Sequence, residues 1–322
     1  MRRAAITDIS TLEGDLGRCT RICININKAI TSLRHALHRN ELVVLIKSWE
    51  KEIKENSTAS RFVNFLISLG LLKKIGDLYT LSSEGKALCK LYEDIPINDK
   101  EAHLKIKIFY FRQLFTKAYH QLYLLLSVVH NNRGEPRKNI IEAYFSELLS
   151  ERIIIWSKTT IRNNLNRMRK LGALPNFFRH KFGCMERWLR EIGLIRREKG
   201  RLYLTPAGEG ALETFRKEPL KIYHAASHLL DGDVTQLEYD LHSDLLMNML
   251  KEAYNRFKRP DIPLSDYVAM KIWICITLLS EYKLILEEEE LDMLLTPLAN
   301  EGIVKVISGR GGKPAFIILC RG

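Results

Sequence analysis

Gly193-Leu194-Ile195-Arg196-Arg197-Glu198-Lys199-Gly200-Arg201-Leu202-Tyr203-Leu204-Thr205-Pro206-Ala207-Gly208 reads as the end of one helix, a two-stranded hairpin and the start of another helix. The opening glycine suits a helix C-cap, Gly200 suits the tight turn, and Thr205 followed by proline suits an N-cap. Upstream, Met185, Trp188, Leu189 and Ile192 fall at i, i+3, i+4 and i+7, the apolar stripe of an amphipathic helix. The same pattern stands 123 positions earlier without a gap. Phe62, Phe65, Leu66 and Leu69 form the stripe, Gly70-Leu71-Leu72-Lys73-Lys74 follows, then Leu81-Ser82 and Gly85 in the places of Leu204-Thr205 and Gly208. An internal repeat of helix, glycine, hairpin and helix is therefore the main organising feature of the chain.

Two phrases carry a family resemblance. Ser68-Leu69-Gly70-Leu71-Leu72 with Tyr79-Thr80-Leu81-Ser82-Ser83-Glu84-Gly85, and Glu191-Ile192-Gly193-Leu194-Ile195 with Leu202-Tyr203-Leu204-Thr205-Pro206-Ala207-Gly208, resemble the recognition-helix end and wing of winged-helix domains, within the helix-turn-helix superfamily. The resemblance covers about 30 residues of each copy together with the helices before them, and winged helices serve protein contacts as well as DNA. A third, diverged copy is expected at the end of the chain. Leu291, Leu294, Leu295 and Leu298 repeat the helical stripe, Gly302–Val306 reads as a strand, Ser308–Pro314 as a glycine-rich tip and Ala315–Leu319 as the return strand.

Between these copies, 104–129 reads as one long helix whose aromatics Phe109, Tyr110, Phe111, Phe115, Tyr119 and Tyr123 belong to a core, and it stops at Asn131-Asn132-Arg133-Gly134-Glu135-Pro136. Later, 237–257 reads as a helix closed by Arg259-Pro260-Asp261-Ile262-Pro263, with 264–281 as the next. The expected fold is mainly α with small β-hairpins, as tandem winged-helix modules joined by long helices. The segments are 1–40 (N-terminal helical), 41–95 (first module), 96–135 (connecting helix), 136–217 (basic second module) and 218–322 (a helical region ending in the third module).

The 322 residues carry 50 Lys+Arg against 38 Asp+Glu, a net charge of +12 that favours a polyanionic partner. Residues 133–201 alone hold 17 Lys/Arg against 7 Glu and no Asp, so the excess is concentrated on the second module. In 157–171 the apolar stripe is Ile161, Leu165, Met168 and Leu171. The other side carries Lys158, Thr159, Arg162, Asn163, Asn166, Arg169 and Lys170, with Ser157 in the N-cap position. Arg and Asn suit guanine and adenine edges, whereas Lys, Ser and Thr suit phosphates. The family pattern makes the helix before the hairpin the reader, which favours 184–192 with Arg187 and Arg190, yet 157–171 is the longer basic surface and both remain candidates. The wing adds Arg196, Arg197, Lys199 and Arg201. The first module offers Arg61, Asn64, Lys73 and Lys74, a weaker set. In the third module Glu287–Glu290 would repel phosphate at a reader helix, which points to protein contact or self-association, with Arg310 and Lys313 at its tip.

No phosphate loop, Gly-x-Ser-x-Gly elbow or His-Glu-x-x-His motif is present. Asp77, Glu84 and Lys86 spell a nuclease-like pattern, but the repeat places Glu84 at a helix start. Cys19 and Cys23 have metal-like spacing without a second pair, and the six cysteines read as reduced thiols. The expectation is a cytoplasmic, non-enzymatic protein with no catalytic residues, metal or cofactor, bound to double-stranded DNA and not to a membrane. It fits a transcription regulator, a replication initiator or the recognition part of a restriction or defence complex. The alternative is a winged-helix assembly scaffold that binds no nucleic acid.

Overall fold

A computed structural model describes residues 35–49, 55–93, 100–150, 156–309 and 312–320. Residues 1–34 of the expected N-terminal segment 1–40, with Cys19 and Cys23, lie outside them, as do Arg310 and the side chain of Arg61. The protein is mainly helical with small antiparallel sheets. No helix among the described residues is long and apolar enough to cross a membrane. In chain order the repeat begins with β1 (Leu37–His38), α1 (Arg39–Trp49), α2 (Asn56–Ser68), β2 (Leu72–Ile75), β3 (Leu78–Leu81) and α3 (Ser83–Glu93). The connecting helix α4 (Lys100–Asn131) bends at Ala118, whose φ of −141° is not helical. The second copy comprises α5 (Arg137–Ser150), α6 (Lys158–Leu171), α7 (Asn176–Glu191), β4 (Ile195–Glu198), β5 (Arg201–Leu204) and α8 (Pro206–Lys217), followed by α9 (Ile222–Ser227).

The C-terminal part runs β6 (Thr235–Gln236), α10 (Tyr239–Phe257), β7 (Lys258–Arg259), β8 (Ile262–Asp266), α11 (Tyr267–Tyr282), β9 (Leu284–Ile285), α12 (Glu288–Asn300), β10 (Val304–Ser308) and β11 (Pro314–Leu319). Its helix and hairpin lie where the sequence puts them, but the break at 259–263 is itself a hairpin. Leu264–Asp266 therefore belong to β8 and not to a helix. The register slips between Lys258 and Arg259, a bulge that accommodates the two prolines, and β8 then pairs with β11 in the sheet order β10-β11-β8-β7.

The chain divides into two compact units. One takes the described residues within 53–69 and 111–229, the other those within 25–52, 70–110 and 230–322. In the first, Phe111 and Phe115 of α4 are core as expected, Phe111 stacking on Phe115 at 4.6 Å and Phe115 meeting Phe215 of α8 at 4.8 Å, whereas Tyr119 and Tyr123 are half-buried. Phe145 of α5 lies 3.9 Å from Phe178 of α7, centroid to centroid, and Tyr144 meets Phe182 edge-on at 5.8 Å. Aromatic pairs in these arrangements add about 0.5–1.5 kcal/mol each beyond area burial. In the second unit, α11 is buried along nearly its whole length and packs against α3, where Lys86 is held by Asp266 at 2.7 Å.

The repeat is carried by one small piece of backbone geometry. After α7 the chain turns through Gly193 (φ +91°), with Leu194 N–H donating to Leu189 O at 2.8 Å and Gly193 N–H to Arg190 O at 3.1 Å, a Schellman closure. After α12 the same pair recurs at Gly302 (φ +70°): Ile303 N–H to Leu298 O at 2.9 Å and Gly302 N–H to Ala299 O at 3.1 Å. Beyond the hairpin, Thr205 Oγ1 donates to Gly193 O at 2.6 Å and accepts from Gly208 N–H at 3.1 Å. Ser82 does likewise, donating to Gly70 O and accepting from Gly85 N–H at 2.9 Å. One hydroxyl thus ties the end of one helix to the start of the next. A Cβ at Gly208 would overlap Leu194 O, and one at Gly85 would overlap Leu71 O, which is why both copies keep glycine there.

Candidate functional site

The second copy is longer than the first inside its repeat. Pro136 bridges to Arg201 as His38 pairs with Leu78 in the first copy. Arg201 lies 123 positions after Leu78, but Pro136 lies only 98 after His38, so 123 − 98 = 25 residues have been added between bridge and hairpin. Helix α5 follows its bridge at once, as α1 follows β1, and α7 precedes its hairpin, as α2 does. The added stretch is therefore α6 with its flanking turns. The family pattern favours the helix before the hairpin while leaving 157–171 a candidate; by bridge and hairpin positions, α7 is the counterpart of α2 and α6 the addition. Helix α7 also begins eight residues earlier than Cys184, at Asn176.

Helix α6 buries only Ile161, Leu165 and Met168, and it packs against α5. Lys158, Thr159, Arg162, Asn163, Asn166, Arg167, Arg169, Lys170 and Leu171 are exposed, and the helix contains no acid. Arg169 and Lys170 sit in the last turn, where they favour the helix dipole, and Gly172 closes the helix at φ +65°. Ser157 occupies the N-cap position but its side chain makes no capping bond. Arg169 is engaged by α5 at the surface: its Nε donates to Glu142 Oε1 at 2.7 Å and its Nη2 to Ser146 Oγ at 3.4 Å.

Helix α7 is buried on most of its circumference by Phe178, Phe182, Met185, Glu186, Trp188 and Leu189. One stripe of it is exposed at Asn176, Arg179, His180 and Arg190 and half-exposed at Gly183 and Arg187, with Phe177, Lys181 and Glu191 half-exposed beside it. Arg187 and Arg190 lie there as expected. Arg179 was missed because the ungapped repeat drew attention only to the second half of the helix, although Phe178 and Phe182 at i and i+4 already extend its stripe. The corresponding positions of α2 hold Asn56, Ser57, Ser60, Asn64 and Ile67. On equivalent faces, one copy thus has three arginines and the other none.

The wing is less free than its composition suggests. Arg197 reaches Glu186 at 3.9 Å, and Glu186 is buried and bound by Arg137 Nε at 2.5 Å. Arg137 lies over the Phe182 ring at 5.4 Å. Arg201 Nη1 donates to Gly134 O, and Arg137 N–H to Gly200 O at 3.1 Å, so the hairpin is clamped to the 131–136 turn. Arg196 pairs with Glu198 and lies over Tyr203 at 5.1 Å. Lys199 stands exposed at the tip with φ +46°. Among the described residues no ion pair engages Lys158, Arg162, Arg167, Lys170, Arg179, Arg187, Arg190 or Lys199. On α6, α7 and the wing, these eight are the cations outside any ion pair among the described residues.

In the first copy Lys73 and Lys74 are exposed, Lys74 sharing its charge with Asp77 at 4.0 Å and lying 5.9 Å from the Tyr79 ring centroid, and Asn64 is exposed on α2. Helix α2 packs on α7 through equivalent residues: Phe65 and Trp188, 123 positions apart, stack at 6.1 Å and 16°. In the C-terminal part the acidic run serves its own helix. Glu287 and Glu290 form a capping box, and Glu290 also accepts from Gln236 at 3.0 Å. Compared with family models, curated proteins and solved structures, the chain matches none of them.

Proposed function

We propose that the protein is a non-enzymatic double-stranded DNA-binding protein built from tandem winged-helix modules, with α6 and α7 of the second copy as its DNA-contacting elements. The observation that carries this reading is the exposed cation set of α6, a helix without an acid, continued by Arg179, Arg187 and Arg190 on α7 and set against the equivalent positions of α2, which hold no charge. A solvated helix face normally mixes both signs, whereas phosphate neutralisation rewards one. Asn163 and Asn166 stand among the cations of α6 and supply the amide geometry that reads adenine. Winged-helix architecture is supported by the hairpin following a helix in each copy. It is supported too by the C-terminal order α10, the β7–β8 hairpin, α11, the short β9, α12 and the β10–β11 hairpin, with β11 between β10 and β8. The C-terminal module, whose carboxylates stand at the start of α12, faces protein or a second copy. A transcription regulator, a replication initiator and the recognition subunit of a defence complex all use such a molecule.

The test is equilibrium binding to duplex and single-stranded oligonucleotides at two salt concentrations. Duplex binding should weaken steeply with salt. Replacing Arg162, Arg167, Arg187 and Arg190 with Gln should flatten the log–log slope by roughly 3–4, at about 0.9 per phosphate contact. Absence of duplex binding at low salt sinks the reading and leaves the protein-docking scaffold in its place.

A further inference from the structure

Gly183 stands in the interior of α7, where glycine weakens a helix relative to alanine. Such a residue is usually kept for a positive φ or for packing that a Cβ would foul. Neither applies here. Gly183 is not among the positive-φ glycines, and a Cβ on it would meet, among the described residues, only Arg137 Nη2 at 3.6 Å, an ordinary van der Waals distance. Gly208 and Gly85 show the opposite case, since both are held by backbone oxygens that leave no room. The space that Gly183 preserves therefore lies on the outside of the helix.

That outside is the basic stripe. At about 3.6 residues per turn, Asn176, Arg179, His180, Gly183, Arg187 and Arg190 fall within an arc of roughly 100°, with Gly183 near its middle. Arg179 stands four residues before it and Arg187 four after, so an arginine rises about one turn to either side of a gap with no side chain. The equivalent residue of the first copy is Ser60, on a face without charge. Charge-assisted hydrogen bonds to phosphate need heavy-atom distances of about 2.7–2.9 Å, so whatever holds a helix off its ligand weakens the flanking contacts together.

We infer that Gly183 is the point of closest approach between the α7 backbone and the nucleic acid, and that its missing side chain lets Arg179 and Arg187 grip the sugar–phosphate backbone on either side. This rests on the duplex-binding reading above and adds to it a contact residue with no charge. The experiment uses the full chain with Gly183→Ala. It combines a thermal melt followed by circular dichroism with fluorescence-anisotropy titration of a labelled duplex of about 20 base pairs at about 50 mM salt. The variant should melt at or above the wild-type temperature and bind duplex roughly 5- to 30-fold more weakly. A variant that melts below the wild type shows that the Cβ is excluded from within, which overturns the inference. A stable variant with unchanged affinity overturns it as well. If the wild type itself does not bind duplex, the proposed function fails first and this inference with it. If the wild type binds and Gly183→Ala binds equally, only the inference falls.

Discussion

Replacing Gly208 with alanine puts the repeat's structural logic to a direct test. In an exposed helix, Gly→Ala is stabilising by up to about 1 kcal/mol. Here the added Cβ would overlap Leu194 O and lie 2.9 Å from Leu194 C, where carbon atoms prefer about 3.5–4.0 Å. Relief requires the start of α8 to move by roughly 1 Å away from the strand. That movement stretches three bonds at once: Thr205 N–H to Leu194 O (3.0 Å), Thr205 Oγ1 to Gly193 O (2.6 Å) and Gly208 N–H to Thr205 Oγ1 (3.1 Å). At about 1 kcal/mol per bond, with overpacking of about 1–3 kcal/mol and the helix gain set against them, the net loss is about 3–5 kcal/mol. Urea denaturation, followed by far-UV circular dichroism and tryptophan fluorescence, reads this as a midpoint lowered by roughly 1.5–2.5 M for a slope of about 2 kcal/mol/M. Glu209→Ala, on the exposed side of the same turn, should change stability by no more than about 0.5 kcal/mol. A Gly208→Ala protein as stable as the wild type, or more so, would refute the close approach and the explanation of the repeat built on it.

Two further outcomes are expected. Glu186→Gln leaves the Arg137 guanidinium without its buried partner and should cost about 3 kcal/mol, whereas the double change Glu186→Leu with Arg137→Met should cost less than the single one; a larger loss in the double variant would show that the pair acts through packing alone. Burial holds the His228 imidazole below its usual pKa of 6.5, against the pull of Glu213. The unfolded chain therefore takes up this proton at higher pH than the folded protein, and the stabilisation is present above pH 6.5 and lost as pH falls. Comparing urea midpoints at about pH 7.5 and 5.5, the drop should shrink in His228→Gln; an equal drop in both proteins assigns it to other groups.

The local frame of the fold was legible because its determinants are local. Glycine after an apolar stripe, a short hairpin and a hydroxyl before the next helix each announce their conformation within a few residues, and Gly85 matching Gly208 marked a contact that only the backbone geometry explains. Other features depend on distant partners. Arg169, Arg197 and Arg201 read as outward cations, but their partners Glu142, Glu186 and Gly134 are determined by how α5, α7 and the 131–136 turn pack. The β7–β8 hairpin was hidden behind two prolines, since its pairing with β11 spans about 50 residues. The status of α6 as an addition was hidden too, because the ungapped match begins downstream of it. The bridge at Pro136 reveals it only once Arg201 is in place.

The stacking of Phe65 on Trp188 joins the same position of two copies of one motif. In a symmetric homodimer a residue on the axis meets itself, and every substitution there is made twice. Carried on a single chain, the two sides of such a contact are separate positions: one holds a phenyl ring and the other an indole, and neither change obliges the other. The same independence extends outward from the contact. The positions of α2 equivalent to the three arginines of α7 are uncharged, and only the second copy carries the extra helix α6. Covalent joining has left the two positions of what would be a symmetric contact free to differ.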